Sequence, residues 1–282
     1  MTHKIGLITD STCDIPQELI ATYRILRMPQ YVVWGEDEYN DLIDIDPPTF
    51  YRRLPEDPLH PTTSRPTVPD IMKLVDKAKQ EGAEEIVIIV VSDKLSGSYD
   101  ASLQAQQEID IPSYVIDSMS VSMGLGWQVL AAARAREDGA SAEEMIQTAA
   151  QVRERTQVVF TVDTLEFLHR GGRIGGAAKW IGTALQLKPS LYVDHSLGEV
   201  AAGQRIRTRK KAIRSMIESF FGGYRDDKPQ HVSVAHGGSP EDAIELAQTI
   251  KGRFAPEELY ITHVSPAIGV HAGPGVLSIA GY

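Results

Sequence analysis

The chain has 282 residues, which is long for a single hydrophobic core and predicts two domains. Its 38 Asp and Glu residues outnumber 28 Lys and Arg residues, so the formal net charge is −10. That balance argues against general binding to nucleic acid or to anionic lipid surfaces. The one cysteine, Cys13, excludes a disulfide scaffold and cysteine-rich metal sites.

The chain start and the lengths of the apolar runs bear on location. Residues 1–5 lack the long apolar stretch of a signal peptide. No apolar run reaches the roughly 18 residues needed to span a bilayer. We therefore expect a soluble cytoplasmic protein with no stable membrane insertion.

The first half of the chain alternates predicted strands with predicted helices. Apolar runs predict strands at residues 5–9, 25–33, 86–91 and 113–116. Helical spacing or a capping pattern predicts helices at residues 71–82, 98–108 and 123–136, and from Ser141, with Glu144 placed for a capping box. Between them, residues 55–69 carry five prolines and are interpreted as a surface loop. The alternation predicts a parallel sheet wrapped by helices.

The second half has a different texture. Predicted strands fall at residues 157–162, 232–235, 259–264 and 276–280, with helices at 209–221 and 240–253. Residues 191–193 and 200 onward, around a turn at 195–198, predict an antiparallel hairpin. We expect an α/β fold with two domains: residues 1–157 around a parallel sheet, and residues 158–282 with a mixed sheet and helices.

His271 lies among turn-forming residues near the end of the chain. Gly269 and the run Gly273-Pro274-Gly275 predict a tight loop whose backbone can approach a ligand closely. A histidine there can hydrogen-bond an anionic or carboxylic group. A solvated or structural histidine is the alternative interpretation.

Two hydroxyl-bearing segments upstream suit the same kind of group. Residues 62–64 are Thr, Thr and Ser, followed by Arg65 and a proline, which predicts an extended loop presenting hydroxyls. Ser96 and Gly97 follow the most strand-like run, where a parallel sheet gathers its ligands. For the first segment taken alone, a helix cap and surface turn are the favoured interpretation. For the second, ordinary helix capping is an equal alternative, and capping is favoured for a third strand end with hydroxyls, residues 116–120.

A basic segment at residues 205–211 stands out in an acidic chain. Positive charge at a helix N-terminus opposes the helix dipole, which favours a functional use over a solvated helix start. Phosphate-loop, dinucleotide, metal-ligand and nucleophile-elbow motifs do not occur in the sequence. We therefore expect no cofactor and no metal.

Taken together, these stretches resemble the DegV family of bacterial fatty-acid-binding proteins. The matching segments are, in chain order, residues 8–11, 63–66, 95–99, 116–118, 165–168, 171–174, 207–212 and 271–275. The resemblance spans nearly the whole chain. It implies two α/β domains with a long-chain fatty acid, such as palmitate, held between them.

The resemblance also implies roles for individual residues. Thr63 and Ser96 would receive the carboxylate, with the Gly97 N–H as a helper and His271 near the head group. In members that act with a fatty acid kinase, a separate kinase subunit phosphorylates the bound acid, and an arginine that maps best to Arg207 is needed. Arg65 departs from the glutamine that is common in the family.

Three functions remain open. The leading hypothesis is a non-enzymatic protein that presents a fatty acid to a kinase. The alternatives are an acyltransferase or esterase with Ser96 and His271 as nucleophile and base, and a lipid carrier or sensor without a kinase. An apolar stripe is a candidate wall of the acyl tunnel, with core packing as the alternative: Ile174, Ala177, Ala178, Ile181, Ala184 and Leu185.

Overall fold

The computed structural model describes residues 4–180, 187–224 and 229–282. Its strands are β1 (Ile5–Asp10), β2 (Leu26–Met28), β3 (Tyr31–Trp34), β4 (Asp37–Asn40), β5 (Thr62–Ser64), β6 (Glu85–Val90), β7 (Ser113–Asp117), β8 (Gln157–Thr161), β9 (Ser190–Asp194), β10 (Glu199–Ala202), β11 (His231–His236), β12 (Glu258–His263) and β13 (Leu277–Gly281). Its α-helices are α1 (Gln17–Thr22), α2 (Pro47–Arg53), α3 (Val68–Gln80), α4 (Ser98–Gln106), α5 (Met123–Glu137), α6 (Ala142–Arg155), α7 (Glu166–Arg170), α8 (Arg209–Gly222), α9 (Pro240–Phe254) and α10 (Pro266–Ala272). Among these residues, no helix is long and apolar enough to cross a membrane.

The first sheet is parallel, as predicted, with strand order β2-β1-β6-β7. Strand β6 is apolar along its length because helices cover both of its faces. Ile86, Ile88 and Val90 pack with α3 and α4, whereas Val87 and Ile89 belong to the core that includes α5. Only the ends of this strand are therefore free to contact a ligand.

The second sheet is mixed, with order β10-β9-β8-β13-β11-β12. Its neighbouring strands are antiparallel except for the parallel pair β11–β12. The side chains of β8 alternate: Val159 packs with α8 and α9, and Val158 and Phe160 face the larger core. One face of this sheet is thus directed toward the parallel sheet.

Helix α5 joins the two sheets. It is buried on nearly every side, as expected for a helix with apolar residues around its whole circumference. It contacts strands of both sheets, and the Trp127 side chain donates a 3.3 Å hydrogen bond to the carbonyl of Ala280. The parallel sheet comes from residues 5–117 and the mixed sheet from residues 157–281, while the division at 157/158 stays a prediction.

Two segments, the proline-rich one and the one around His271, differ from the sequence-based expectation. The proline-rich segment contains β5, which completes a three-stranded antiparallel sheet in the order β4-β3-β5. The loop expected around His271 is instead the last turn of α10, because Pro266 occupies its first turn and Ser265 caps it. Of the predicted apolar stripe, Ile174 and Ala177 are buried in the main core and Ala178 is exposed. None of these three lines the cavity described below, and Ile181, Ala184 and Leu185 lie outside the described residues.

Candidate functional site

A cavity of about 360 Å³ lies between the two sheets. The sequence-predicted site residues Thr63, Ser96, Gly97 and His271 all line it. They come from β5, the loop after β6 and the end of α10, so three distant segments meet at one place. Most other lining side chains are apolar, among them Val91, Leu95, Val158, Phe160, Val193 and Val200.

Thr63 and His271 form a direct pair. The Thr63 Oγ1 and His271 Nε2 atoms are 2.8 Å apart, although the residues are separated by 208 positions in sequence. Thr63 is held in register because Val32 of β3 pairs with it. Burial lowers the pKa of His271 to about 4, and the positive charge of Arg173 acts in the same direction. The imidazole is therefore neutral near pH 7.

Gly171 explains how tightly His271 is enclosed. A Cβ at residue 171 would overlap Nδ1 of the imidazole. That nitrogen has no hydrogen-bond partner among the described residues. The ring is therefore fixed by packing at Nδ1 and by the Thr63 hydroxyl at Nε2.

Ser96 and Gly97 sit where β6 turns into α4. The Ser96 hydroxyl lies 2.9 Å from the Ser98 hydroxyl. Gly97 is the N-cap of α4, a position whose neighbouring N–H groups lack intrahelical partners. A Cβ at Gly97 would come within 2.8 Å of Arg65 Cδ, so the glycine lets the Arg65 side chain lie against the loop.

Two arginines bring positive charge to the cavity. Arg65 donates a 3.1 Å hydrogen bond to the Gly97 carbonyl. Arg173 donates through Nε to Leu95 O at 2.9 Å and through Nη1 to Gly171 O at 2.6 Å. Both residues line the cavity. Arg173 lies within the matching residues 171–174, but the sequence alone indicates no role for it, because its contact with the Ser96 loop is tertiary.

Two buried carboxylates hold the start of α10. Asp14 accepts a hydrogen bond from Ser265 N at 2.9 Å, and Asp41 accepts one from Ala267 N at 3.2 Å. Burial raises the pKa of Asp14 to about 8 and that of Asp41 to about 7, although these hydrogen bonds act against it. The helix that carries His271 is thereby tied to the first 45 residues of the chain.

Arg207 is placed apart from the other predicted residues. It is exposed and is not among the residues that line the cavity. Its neighbour Arg209 turns inward instead, donating to the Gly275 carbonyl at 2.5 Å and to Asp242 at 2.8 Å. The positive charge at the start of α8 is therefore partly neutralised by acidic partners.

The geometry also bears on the enzymatic alternative. Among the described contacts, Nε2 of His271 pairs with Thr63 and the Ser96 hydroxyl pairs with Ser98, so Ser96 and His271 do not form the hydrogen bond of a nucleophile–base pair. Across residues 4–180, 187–224 and 229–282, no group of three or more His, Cys, Asp or Glu residues is placed to hold a metal ion.

Comparison with known proteins extends this picture. Residues 4–282 match the family described as uncharacterised proteins of the DegV family. A fatty acid-binding protein of Thermotoga maritima is 30% identical over 285 residues, covering 97% of this chain and 96% of that protein. A solved DegV family protein from Thermus thermophilus, described as binding fatty acid, is 32% identical with a TM-score of 0.91 and 99% coverage of each chain.

A third similar protein is described by the fatty acid that it binds. A stearic acid-binding protein from Eubacterium ventriosum is 25% identical, with a TM-score of 0.88 and coverage of 99% of this chain and 97% of that chain. The family match extends over all but the first three residues, and it agrees with the α/β architecture and with the segments that carried the resemblance. The chain belongs to the DegV family.

Proposed function

We propose that this protein binds a long-chain fatty acid, such as palmitate, in the cavity between residues 1–157 and residues 158–282, taken as two domains. The observation that supports the proposal most directly is the meeting of Thr63, Ser96, Gly97 and His271 at one end of a largely apolar cavity. Relatives over the full chain length are fatty-acid-binding proteins.

The polar end suits a carboxylate. The Thr63 and Ser96 hydroxyls can donate hydrogen bonds, and the Gly97 N–H adds a third donor. Arg65 and Arg173 supply positive charge nearby. Because His271 is neutral near pH 7, it serves as the partner of Thr63 rather than as a counterion. We assign the carboxylate to this end of the cavity.

The apolar remainder supplies most of the affinity. Burying one methylene is worth about 0.8 kcal/mol, so an acyl chain contributes on the order of 10 kcal/mol before the entropic losses of binding. A neutral hydrogen bond adds only about 0.5–1.5 kcal/mol. The acyl chain therefore drives binding, and the polar groups orient the carboxylate.

Binding is tested by measuring the dissociation constant for palmitate. Native mass spectrometry of the gently purified protein should show a bound species of fatty-acid mass. Thr63→Val and Ser96→Ala should each weaken palmitate binding by roughly three- to tenfold, the range expected for one hydrogen bond. A protein that carries no lipid and does not bind added palmitate would contradict the proposal.

We further propose that the protein works in the cytoplasm and presents the bound carboxylate to a separate fatty acid kinase, rather than acting as an enzyme or as a carrier without a kinase. Arg207 is suited to a contact with that partner because it is exposed beside the start of α8. The role itself comes from the family resemblance.

The kinase step is tested with a fatty acid kinase, ATP and palmitate. Acyl phosphate should form with the wild-type protein and decrease with Arg207→Ala. Arg214→Ala is the matched control, since its side chain is 81% exposed on α8, which begins two residues after Arg207. Equal product from wild type and Arg207→Ala would remove Arg207 from the mechanism, and absence of product from wild type would favour a carrier or sensor.

A further inference from the structure

The Ser96–Ser98 contact continues into a hydrogen-bond chain that reaches Gln30. The side-chain nitrogen of Gln30 donates to the Ser98 hydroxyl at 2.7 Å, and Ser98 in turn lies 2.9 Å from Ser96. Gln30 is 4% exposed and Ser98 is fully buried. Ser98 is therefore enclosed by protein, whereas Gln30 also reaches the lining of the cavity, and their hydrogen-bond directions depend on each other.

Asp10 orients the Gln30 amide. This buried carboxylate accepts hydrogen bonds from the Thr12 N–H at 2.9 Å and from the Val91 N–H at 2.8 Å, and the Gln30 side chain is a further partner. Burial raises the pKa of this carboxyl, and its hydrogen bonds act against the rise. In its ionised form it only accepts hydrogen bonds, so the Gln30 NH₂ group faces it. The same NH₂ group then faces Ser98.

The direction of the chain follows from this orientation. Since Gln30 donates to Ser98, the Ser98 oxygen accepts and its own hydrogen is left for Ser96. The Ser96 oxygen accepts that hydrogen, so the Ser96 hydrogen is free to point elsewhere. We propose that Gln30 and Ser98 are positioning residues that make Ser96 a hydrogen-bond donor toward the cavity.

His271 directs the Thr63 hydroxyl in a similar way. His271 Nδ1 is buried against Gly171 and has no hydrogen-bond partner among the described residues. A hydrogen on that atom would be an unsatisfied buried donor, so the neutral imidazole carries its hydrogen on Nε2. Nε2 then donates to Thr63, and the Thr63 hydrogen also points into the cavity.

Two directed donors give the site a chemical preference. A carboxylate accepts hydrogen bonds at both oxygens, whereas a primary amide of the same length places its NH₂ donor opposite one of the two hydroxyls. The Gln30–Ser98 chain therefore selects the fatty carboxylate over its primary amide. This inference rests on the proposed function and adds the residues that set its ligand class.

The test compares palmitate with hexadecanamide in the wild type, Ser98→Ala and Gln30→Met. In both variants the Ser96 hydroxyl can rotate, so it no longer opposes an amide donor. We expect palmitate binding to weaken by roughly three- to tenfold, the range of one hydrogen bond. Binding of hexadecanamide should be unchanged or tighter, so the dissociation constant for hexadecanamide divided by that for palmitate should fall.

Ser102→Ala is the matched control. Its hydroxyl is also fully buried on α4, and it donates to the Ser98 carbonyl at 2.8 Å without joining the chain. It should leave the ratio unchanged. Equal weakening of both ligands in Ser98→Ala, or no change in either, would overturn the inference while leaving fatty acid binding intact. Failure of the wild type to bind palmitate would instead overturn the proposed function, and this inference with it.

Discussion

The two sheets contribute to the cavity in different ways. Strand β6 of the parallel sheet is covered by helices on both faces, so the sheet reaches the cavity through Val91 and the Ser96–Gly97 loop beyond its end. Strands β8, β9 and β10 of the mixed sheet present side chains from one face, including Val158, Val193 and Val200. The parallel sheet thus supplies polar groups from its loops, and the mixed sheet supplies an apolar surface.

The difference reflects how each sheet is buried. Loops at strand ends can present hydroxyls and backbone N–H groups, as in ligand sites of other parallel sheets. An alternating strand with one face toward a cavity can offer apolar side chains along its length. We therefore expect changes on the mixed sheet to alter affinity strongly, and changes on the loops to alter affinity less but orientation more.

A charge on the apolar surface should have the largest effect. Val193 is 3% exposed and lines the cavity, so Val193→Asp would place an unpaired carboxylate against the acyl chain. We expect palmitate binding to weaken by roughly a hundredfold or more, because burying an unpaired charge is costly. Isothermal titration calorimetry measures this.

The neighbouring residue provides the control. Tyr192 lies next to Val193 on β9 but is 39% exposed, so Tyr192→Asp should bind palmitate as the wild type does. If Val193→Asp does not fold, as judged by circular dichroism, Val193→Thr tests the same surface with a nearly isosteric hydroxyl. Undiminished palmitate affinity in a folded Val193 variant would contradict the expectation that the mixed sheet supplies the apolar surface for the acyl chain.

Displacing His271 should have an intermediate effect. Gly171→Ala places a methyl group on the imidazole, so the ring must move away from Thr63 and the hydroxyl loses its partner. We expect palmitate binding to weaken by roughly tenfold, with a loss of stability of about 1–3 kcal/mol from overpacking. Binding and urea denaturation measure the two effects.

Gly176→Ala is the matched control for that change. A Cβ at Gly176 would meet its nearest neighbour at 3.8 Å, an ordinary contact. It should therefore bind palmitate normally. Normal binding by Gly171→Ala would mean that the position of His271 does not matter for the ligand.

The pH dependence of stability offers a smaller effect. His271 has a pKa of about 4 in the folded protein, below its ordinary value of 6.5. Between these two values the unfolded chain binds the proton and the folded protein does not, so the contribution of His271 to the free energy of unfolding decreases as pH falls from 6.5 to 4. In urea denaturation series, the wild-type free energy of unfolding minus that of His271→Gln should therefore decrease over this range, and a constant difference would contradict the assignment.

The smallest effect is expected at Arg207. Because this residue is exposed and lies outside the lining of the cavity, Arg207→Ala should leave the dissociation constant for palmitate unchanged. Titration calorimetry on the purified variant checks this. A marked weakening would place Arg207 in the ligand site and would conflict with the structure.

Sequence reasoning predicted the regular elements well where their patterns were long. The run in β6, the capping box at Ser141 and Glu144, and the β9–β10 hairpin were all confirmed. It missed the short elements α1, α2, α7, β4 and β5, none of which is longer than seven residues. The helix around His271 was wrongly interpreted as a loop, since Gly269 and the following glycines outweighed the capping signal at Ser265 and Pro266.

The same contrast holds for the candidate site. The sequence alone indicated the hydroxyls at Thr63 and Ser96, the turn-forming residues around His271 and the order of the matching segments. These depend only on residue type and spacing, which the sequence gives directly. The Thr63–His271 pair, the two arginines and the Gln30–Ser98 chain were decided only by tertiary structure. Each joins residues far apart in the chain, and only the packing of the two sheets determines which of them meet and which atom donates.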